Sequence, residues 1–271
     1  MNHHITAEPF QSKLMPKVSF VISVHNGEAY LEECIDSVLN QTFKDFECIV
    51  LNNGSTDRTP EILRQYTDPR LRIIHQENLG VSPSLNKGVH LSDSDLIARL
   101  DADDLAFTQR LEKQAEFMIQ NPQVVLCGSR WRELIGGKSF SQKVAFIETD
   151  EAIKKSMSLF NPFAHSTIVF RKKTFIKSGG YSDKLKYALD YELWLRMLAH
   201  GEGHNLKDEL SEIRISGQSL SGQNERMQKL EGLAIRWKAF KQFGGNSFKI
   251  LYYFSKSLVG LIFLSKRHSN R

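Results

Sequence analysis

The chain has 271 residues, of which 41% are hydrophobic, and it carries a formal net charge of +5 at pH 7. This length suits one large α/β domain, and the apolar content excludes an intrinsically disordered protein. The three cysteines, Cys34, Cys48 and Cys127, have no paired spacing, which excludes a disulfide-rich secreted scaffold and favours buried thiols in a reducing compartment.

The two ends of the chain differ in character. Residues 1–17 contain no apolar run, so we expect no secretory signal and a cytoplasmic protein. No stretch reaches the roughly 18 consecutive apolar residues that a membrane-spanning helix needs. From residue 226 onward, basic side chains greatly outnumber the single acidic one, Glu231. That excess favours contact with an anionic surface, either a membrane or a nucleic acid.

Strands and helices alternate over the first hundred residues. Runs of β-branched and aromatic residues predict four strands, at residues 18–24, 46–52, 71–75 and 95–100. Amphipathic spacing and turn residues predict helices between them, at residues 29–41, 54–66 and 83–91. This alternation is typical of βαβ units and of a mostly parallel sheet.

Beyond residue 109 the pattern is less regular. Apolar periodicity predicts further helices, at residues 110–120, 190–201, 225–243 and 248–264. Two more strands are predicted, at residues 124–131 and 165–170. The sequence contains no internal repeat, so we expect one α/β domain with a helical C-terminal extension.

Three of the predicted strands end in polar clusters. These clusters are HNGE, NNGSTD and DADD, at residues 25–28, 52–57 and 101–104. Ligands of parallel α/β sheets bind beyond the carboxyl ends of the strands. A binding site is therefore predicted where the three clusters meet.

The DADD cluster is a candidate metal site. If the chain stays extended, Asp101 and Asp103 point to the same side, because side chains alternate along a strand. Two such carboxylates repel each other unless a cation lies beside them, and a hard divalent cation suits oxygen ligands. The alternative is a solvated acidic loop in which Asp104 caps the next helix. The position at the end of a buried strand favours the metal site.

Other candidate residues each have a structural alternative. Residues 52–54 suit close approach of backbone and amide groups to a nucleotide base, or they form an ordinary strand-to-helix turn. Asp190 opens an apolar helix, where an acid is more often an N-cap or a partner of the helix dipole than a general base. For His165 and residues 171–173 the two alternatives are contact with a phosphate and a role as surface or capping residues.

Five motifs in order carry a resemblance to a known family. They are VSFVISVHN, CIVLNNGSTD, LIARLDADD, NPFAHSTIVFRK and GGYSDKLKYALDYELWLR. Over residues 16–224 the chain resembles the inverting family 2 glycosyltransferases, and most of all the bacterial members that build surface polysaccharides. The resemblance implies the nucleotide-diphospho-sugar transferase (GT-A type) fold, an α/β fold with a mostly parallel central sheet flanked by helices.

The resemblance implies a donor site. Contacts with the nucleotide-sugar are implied for Val24, His25, Asn26, Glu28, Asn53, Arg99, Asp101 and Ala102. Asn53 stands where the family usually has an Asp that bonds the base. Asp103, together with Asp101, is implied to hold a divalent cation, Mn²⁺ or Mg²⁺.

The resemblance also implies an acceptor side. His165 matches a His that lies close to the diphosphate, and Gly180 and Tyr181 match the acceptor-side loop. Asp190 matches the catalytic base of the family. That match reverses the preference for a capping role that follows from the residue type alone.

Several positions depart from the family pattern. Asn52 and Asn53 replace two Asp, which leaves the identity of the base open. Leu189 replaces the Glu that usually precedes the catalytic base. Ser216 replaces a His that helps to hold metal or diphosphate, so weaker metal binding is expected. No Gln-x-x-Arg-Trp motif follows Asp190, which argues against a processive polymerase.

The family implies transfer of a single sugar, with a UDP-sugar as the expected donor and a glycan or lipid-linked saccharide as the acceptor. Such a step belongs to O-antigen, capsule or lipooligosaccharide synthesis. The chain then divides into an N-terminal tail, a nucleotide-sugar-binding half, an acceptor-binding and catalytic half and a basic amphipathic helical extension, at residues 1–15, 16–108, 109–224 and 225–271. Residues 248–271 are expected to lie on an anionic membrane at the cytoplasmic face of the inner membrane, or else to pack on protein.

Rival functions make different demands on the sequence. A sugar-nucleotide pyrophosphorylase needs a Gly-rich basic loop after the first strand, and HNGEAYLEE is not one. A dehydrogenase needs G-x-G-x-x-G at the same place. The remaining alternative is a non-catalytic or differently catalytic protein of the same fold that binds a nucleotide-sugar or a membrane. Asp101, Asp103 and Asp190 would be unfavourable beside phosphates without a metal, so no nucleic-acid partner is expected.

Overall fold

The structure is a computed structural model that describes residues 17–142, 146–215 and 225–245, together with Phe248 and Ser255. In these residues nine strands form one sheet. The strands are β1 Val18–Val24, β2 Phe46–Asn53, β3 Leu71–Gln76, β4 Leu96–Arg99, β5 Leu105–Ala106, β6 Val124–Ile135, β7 Lys138–Ser141, β8 Val169–Arg171 and β9 Glu202–Arg214.

The described residues also include eight α-helices. The helices are α1 Leu31–Leu39, α2 Thr59–Arg64, α3 Val81–Leu91, α4 Arg110–Gln120, α5 Asp150–Ser156, α6 Lys172–Lys177, α7 Leu189–Met197 and α8 Glu225–Phe243. The helix predicted at residues 225–243 is confirmed at both ends. The helix predicted at residues 248–264 lies outside the described residues, apart from Phe248 and Ser255.

The first four strands form the parallel half of the sheet. β1 pairs in parallel with β2 and β4, and β2 pairs in parallel with β3. The order is therefore β3-β2-β1-β4, so the direction in which strands are added reverses between β1 and β4. The carboxyl ends of β2, β1 and β4 lie side by side at this switch point, where the polar clusters predict a ligand.

Both faces of the parallel half are buried. Val21 of β1 packs in one apolar cluster with Leu85 of α3, and Phe20 packs in a second cluster with Ile35 of α1. Burial on two sides explains why these strands are continuous apolar runs in the sequence. The three cysteines are buried free thiols, as predicted.

The second half of the sheet is mixed. β8 runs antiparallel to β4 and β6, β9 runs parallel to β6, and β5 and β7 are antiparallel to β9 and β6. The predicted succession of parallel strands thus extends over β1–β4, and among the other described strands β6 and β9 form a further parallel pair. Residues 165–170, predicted as one strand, begin with a 3-10 turn (His165–Thr167). The turn forms because the Thr167 N–H and hydroxyl both donate to the carbonyl oxygen of Ala164.

Helix α8 belongs to the domain rather than to a separate appendage. Its Ile235 and Ala239 are buried in the same apolar cluster as residues of α7. The Glu231 carboxylate accepts hydrogen bonds from the backbone N–H groups of residues 186–188, at 2.9–3.1 Å. Within the part of the chain that the structure describes, no helix is long and apolar enough to cross a membrane.

Gly88 tests how closely α3 packs on the sheet. A Cβ at this position would lie 2.5 Å from Val21 Cγ1 and 2.7 Å from Leu51 Cδ1. Gly88→Ala is therefore expected to lower the free energy of unfolding by about 1–3 kcal/mol, the usual cost of overpacking. The matched control is Gly232→Ala in α8, where a Cβ would have no atom within 4 Å and helix propensity predicts a gain of up to ~1 kcal/mol. Urea unfolding measures both changes, and a Gly88→Ala protein as stable as wild type would contradict the packing.

Candidate active site

The loops after β1 and β2 are joined by reciprocal hydrogen bonds. Asn26 has a φ of 55°, in the left-handed region that Asn tolerates better than most residues. Its Oδ1 accepts from the Thr56 N–H at 2.8 Å. The Glu28 N–H donates to Asp57 Oδ2 at 3.0 Å, and the Arg58 N–H donates to Glu28 Oε2 at 3.1 Å. Asn26 and Glu28, both predicted donor-site residues, thus hold the two loops together as one rim.

The neighbouring positions Val24, His25 and Asn53 differ in exposure. Val24 is buried and His25 is exposed, with its Nδ1 3.0 Å from the Asn53 carbonyl oxygen. The buried Asn53 amide accepts from Gln76 Nε2 at 3.0 Å and from the Leu79 N–H at 2.9 Å. Its Nδ2 donates to the carbonyl oxygen of Gly80, in the loop that contains Leu79, at 3.2 Å. A contact with a nucleotide base from this amide would replace one of these bonds, so the base-binding role of Asn53 stays a prediction.

Asp101 is held by a buried cation. Arg99, 2% exposed at the end of β4, donates to Asp101 Oδ1. The Ser166 hydroxyl donates to Asp101 Oδ2 at 3.0 Å, and His165 Nδ1 lies 3.7 Å from the same oxygen. Burial alone would raise the pKa of Asp101, but the Arg99 guanidinium, then His165 and Ser166, outweigh it and hold that pKa below its usual range. Asp101 is therefore a fixed carboxylate.

Asp103 and Asp104 have different surroundings. The Asp103 carboxylate accepts a hydrogen bond from its own backbone N–H, and burial, then the negative charge of Asp101, raise its pKa. Asp104 is buried, and its Oδ1 accepts from the Arg214 N–H of β9 at 2.8 Å. The next helix, α4, has Gln109 as its N-cap. The alternative in which Asp104 caps that helix is therefore wrong.

The carboxylates suit a cation that is shared with a diphosphate. Across the described ranges, no group of three or more His, Cys, Asp or Glu side chains could hold a metal by itself. Mg²⁺ and Mn²⁺ prefer oxygen ligands, and Mg²⁺ commonly binds through one or two carboxylates and substrate phosphates. Asp103 with Asp101 supplies those carboxylates, and a cation would offset the repulsion that raises the Asp103 pKa. The residues thus fit the predicted metal, whose use by this chain stays a prediction.

His165 and Tyr181 form an internal support of the site. His165 Nε2 lies 2.8 Å from the Tyr181 hydroxyl. Burial, then the Arg99 charge, lower the pKa of His165 to about 3, so the imidazole is neutral at pH 7. A neutral imidazole orients its neighbours without adding positive charge beside a phosphate. Tyr181 is 2% exposed, behind Gly180 at a φ of 68°, and the predicted acceptor role of these two residues is not tested by their positions.

Asp190 lies in the first turn of α7. Asn161 Nδ2 donates to Asp190 Oδ2 at 2.8 Å. Burial, reinforced by the charge of Asp101, raises the pKa of Asp190 to about 6. The N-cap of α7 is Ala188, so the N-capping alternative for Asp190 is wrong, whereas its place in the first turn suits an acid that interacts with the helix dipole. A carboxylate with a pKa this close to neutrality is suited to accept a proton.

Residues 171–173 do not belong to this site. β8 runs antiparallel to β4 and places Arg171 opposite Leu96, at the start of β4 rather than at its end. Arg171 Nη2 donates to the Met118 carbonyl oxygen at 2.7 Å, and Lys172 Nζ donates to the Ser92 carbonyl oxygen at 2.6 Å. Arg171 and Lys172 therefore bond backbone carbonyls at the opposite end of β4 from Asp101, which excludes a phosphate contact from these two residues in this site.

Two supporting residues escape prediction from the sequence. The Ser166 hydroxyl accepts from the Asp101 N–H at 3.0 Å while it donates to the Asp101 carboxylate. Glu231 fixes residues 186–188, immediately before Asp190. Nothing local distinguishes Ser166 within HSTIVF. Glu231 does carry a signal, since it is the single acidic residue in a basic segment.

Known proteins are similar to this chain over most of its length. The family described as "Glycosyl transferase family 2" matches residues 19–179. The O-antigen biosynthesis glycosyltransferase WbnJ of Escherichia coli is 32% identical over 255 residues, which cover 91% of this chain and 98% of WbnJ.

Solved structures share the fold. S. aureus TarS 1–349 in complex with UDP-GlcNAc matches with a TM-score of 0.67 and 19% identity, over 84% of this chain and 71% of that one. The mannosyltransferase PcManGT from Pyrobaculum calidifontis, in complex with GDP-Man and Mn²⁺, matches with a TM-score of 0.67 and 16% identity, over 92% and 73%. At identities this low, structural similarity shows the fold alone. It confirms the predicted GT-A architecture. Since the family match spans more than half of the chain, the protein belongs to glycosyl transferase family 2 and is a glycosyltransferase.

Proposed function

We propose that the protein moves one sugar from a nucleotide-diphospho-sugar, a UDP-sugar, to an acceptor hydroxyl with inversion at the anomeric carbon. The observation that carries the proposal is Asp190, a carboxyl with a pKa of about 6, in the same site as Asp101 and Asp103. Structures of the same fold bind UDP-GlcNAc in one case and GDP-Man in another. The experiment that tests the donor therefore includes both UDP- and GDP-sugars.

Each side chain has a definite part in this mechanism. Asp190 takes the proton of the acceptor hydroxyl while the oxygen of that hydroxyl attacks the anomeric carbon. One displacement through an oxocarbenium-like transition state inverts the configuration, as in inverting glycosidases. Asp103 and Asp101 would hold Mn²⁺ or Mg²⁺, which supplies positive charge beside the departing nucleotide diphosphate. Arg99 and neutral His165 keep the Asp101 carboxylate in place.

We infer that the product is a bacterial surface polysaccharide. The support is the likeness to an O-antigen biosynthesis enzyme over nearly the whole length of both chains. The acceptor is then a glycan or a lipid-linked saccharide, met at the cytoplasmic face of the inner membrane.

A panel of nucleotide-sugars tests the proposed function without any knowledge of the acceptor. The full-length protein is incubated with UDP- and GDP-sugars and with Mn²⁺ or Mg²⁺, and the released nucleotide diphosphate is measured. We expect slow hydrolysis of at least one UDP-sugar, lost on chelation and restored by added metal. Donor binding without release, even with saccharide acceptors present, would favour a non-catalytic or differently catalytic protein of the same fold.

The pH dependence of transfer should report Asp190. The residue acts as a base only when ionised, so with a pKa of about 6 the rate should fall about tenfold per unit below pH 6 and level off above it. The hydrogen bond from Asn161 lowers this pKa. Asn161→Ala should therefore move the acid limb of the kcat/KM profile to higher pH. An acid limb near pH 4, the range of an ordinary Asp, would show that the group that titrates in the profile is not Asp190 with its raised pKa.

Residues 248–271 lie outside the described residues, apart from Phe248 and Ser255. Their membrane role stays a prediction. The segment combines aromatic and aliphatic residues with four basic ones in its interior, Lys249, Lys256, Lys266 and Arg267. Deleting it is expected to release the protein from anionic vesicles at low salt, because both apolar and charge contacts are lost. Co-sedimentation measures this, with neutral vesicles as the control. If the full-length protein ignores anionic vesicles, packing on protein is the better account.

A further inference from the structure

The described residues surround a pocket that none of the roles above uses. It has a volume of about 450 Å³ and lies between β6, β9 and the segment at residues 146–162. Its apolar walls include Trp131, Phe146, Ile147, Phe160 and Pro162. A pocket of roughly 300–1,000 Å³ with mostly apolar walls and a few polar groups is typical of a small-molecule site.

A β-bulge between β6 and β9 shapes the pocket. Ser129, Arg130 and Trp131 all line it, although neighbouring side chains of a regular strand point to opposite faces. The register shifts here, so that Arg130 pairs with Glu209 whereas Trp131 pairs with Ser211. Bulges re-aim side chains and are common beside functional sites. The departure from regular pairing thus builds the wall.

The pocket walls are tied together by one buried amide. Asn205 is 3% exposed, and its Nδ2 donates to the carbonyl oxygens of Ile147 at 2.8 Å and Pro162 at 3.1 Å. Gly128 packs directly against this side chain, since a Cβ at position 128 would lie 2.0 Å from Asn205 Oδ1. The two hydrogen bonds of Asn205 therefore join β9 to the segment at residues 146–162 and fix the width of the pocket.

The pocket borders the proposed base. Asn161 lines it, and the Nδ2 of this residue is 2.8 Å from Asp190 Oδ2. A group seated in the pocket lies one side chain away from the carboxylate that has to meet the acceptor hydroxyl. The residues that line the pocket come from none of the loops after β1, β2 and β4, to which the donor is assigned.

We propose that this pocket is the acceptor subsite, and that it holds an apolar part of the acceptor. That part is the C–H face of a sugar ring or an apolar group attached to the sugar. The inference rests on the proposed function, from which it takes the base. Aromatic walls favour such apolar surfaces, and the two charged side chains of the lining, Arg130 and Glu209, are engaged with other residues of the protein. Arg130 lies 4.8 Å from the centre of the Phe146 ring, and Glu209 is paired with Arg132 at 3.1 Å.

Glycoside binding by matched variants tests the subsite. The probes are phenyl and methyl β-glycosides of glucose, galactose and N-acetylglucosamine, titrated calorimetrically into the full-length protein with UDP and Mn²⁺. Phe160→Ala truncates a pocket wall that is 39% exposed, and Phe140→Ala truncates a residue of β7 that is 49% exposed and outside the pocket. We expect Phe160→Ala to weaken binding about tenfold, the size of a modest hot spot, and Phe140→Ala to leave it unchanged. Trp131→Ala should weaken binding at least as much, with thermal unfolding as the check on its fold.

The outcomes separate the pocket from the reaction. Tighter binding of phenyl than of methyl glycosides identifies an attached apolar group as the occupant, and equal binding identifies the ring face. No binding of any probe, or equal losses in Phe160→Ala and Phe140→Ala, would overturn the subsite. Donor hydrolysis is measured on the same proteins. If hydrolysis is intact while glycoside binding ignores the pocket, this inference fails alone. If hydrolysis is absent while binding depends on Phe160, the proposed reaction fails, and the pocket remains a glycoside-binding site but not an acceptor subsite.

Discussion

Asp190→Asn is expected to lower the rate of sugar transfer by roughly 10²- to 10⁴-fold, the range over which general bases act. Asn keeps the shape of the side chain and can still accept the hydrogen bond from Asn161, but it cannot take the acceptor proton. Affinity for the nucleotide-sugar should change by less than about twofold, because the donor is assigned to Asp101, Asp103 and the loops after β1 and β2. Calorimetric donor binding and the transfer rate are measured on the same variant.

Asp183→Asn is the matched control for this substitution. Asp183 is exposed in the loop that precedes α7, so the same chemical change there should leave both donor binding and transfer at wild-type values. Near-wild-type transfer by Asp190→Asn would remove Asp190 from the mechanism. So would a product that retains the anomeric configuration of the donor.

Asp103→Asn is expected to reduce transfer by at least about 10²-fold at a fixed metal concentration. Changes to residues that only support metal ligands already cost about 10- to 100-fold, and this change removes the charge of a direct ligand. The fold should survive, because Asp103 is half-buried and the hydrogen bond that its carboxylate accepts comes from its own backbone N–H, which an amide oxygen can also accept. The rate is measured against Mn²⁺ concentration, and the half-saturating concentration should rise.

Asp104→Asn is the control within the same cluster. Burial, then the charges of Asp101 and Asp103, raise the pKa of Asp104 well above its usual range. An amide has nearly the same shape as this carboxyl group, and it can still accept from the Arg214 N–H. Transfer should fall by no more than about threefold, as expected for a side chain that does not bind the metal.

Wild-type activity that is insensitive to chelators would contradict the metal hypothesis.

The parallel half of the fold could be predicted because its information is local. Strands buried on both faces are continuous apolar runs, and the polar clusters that end them mark the ligand edge. The second half could not be predicted in the same way. β9 is a 13-residue strand with a polar sequence, and its register with β6 contains bulges. Neither feature leaves a period-two pattern of apolar residues to recognise.

The sequence by itself determined the family and marked the candidate residues. It placed Asp101 and Asp103 directly after a strand, and the resemblance carried by its motifs predicted Asp190 as the base. Only the tertiary structure decided how each carboxyl behaves. Arg99 lowers the pKa of Asp101, whereas burial raises that of Asp103 and brings that of Asp190 to about 6. The reason is physical: the charges and the burial that set these pKa values come from residues distant along the chain. A local pattern predicts which face of an element is apolar, but not which distant element will meet it.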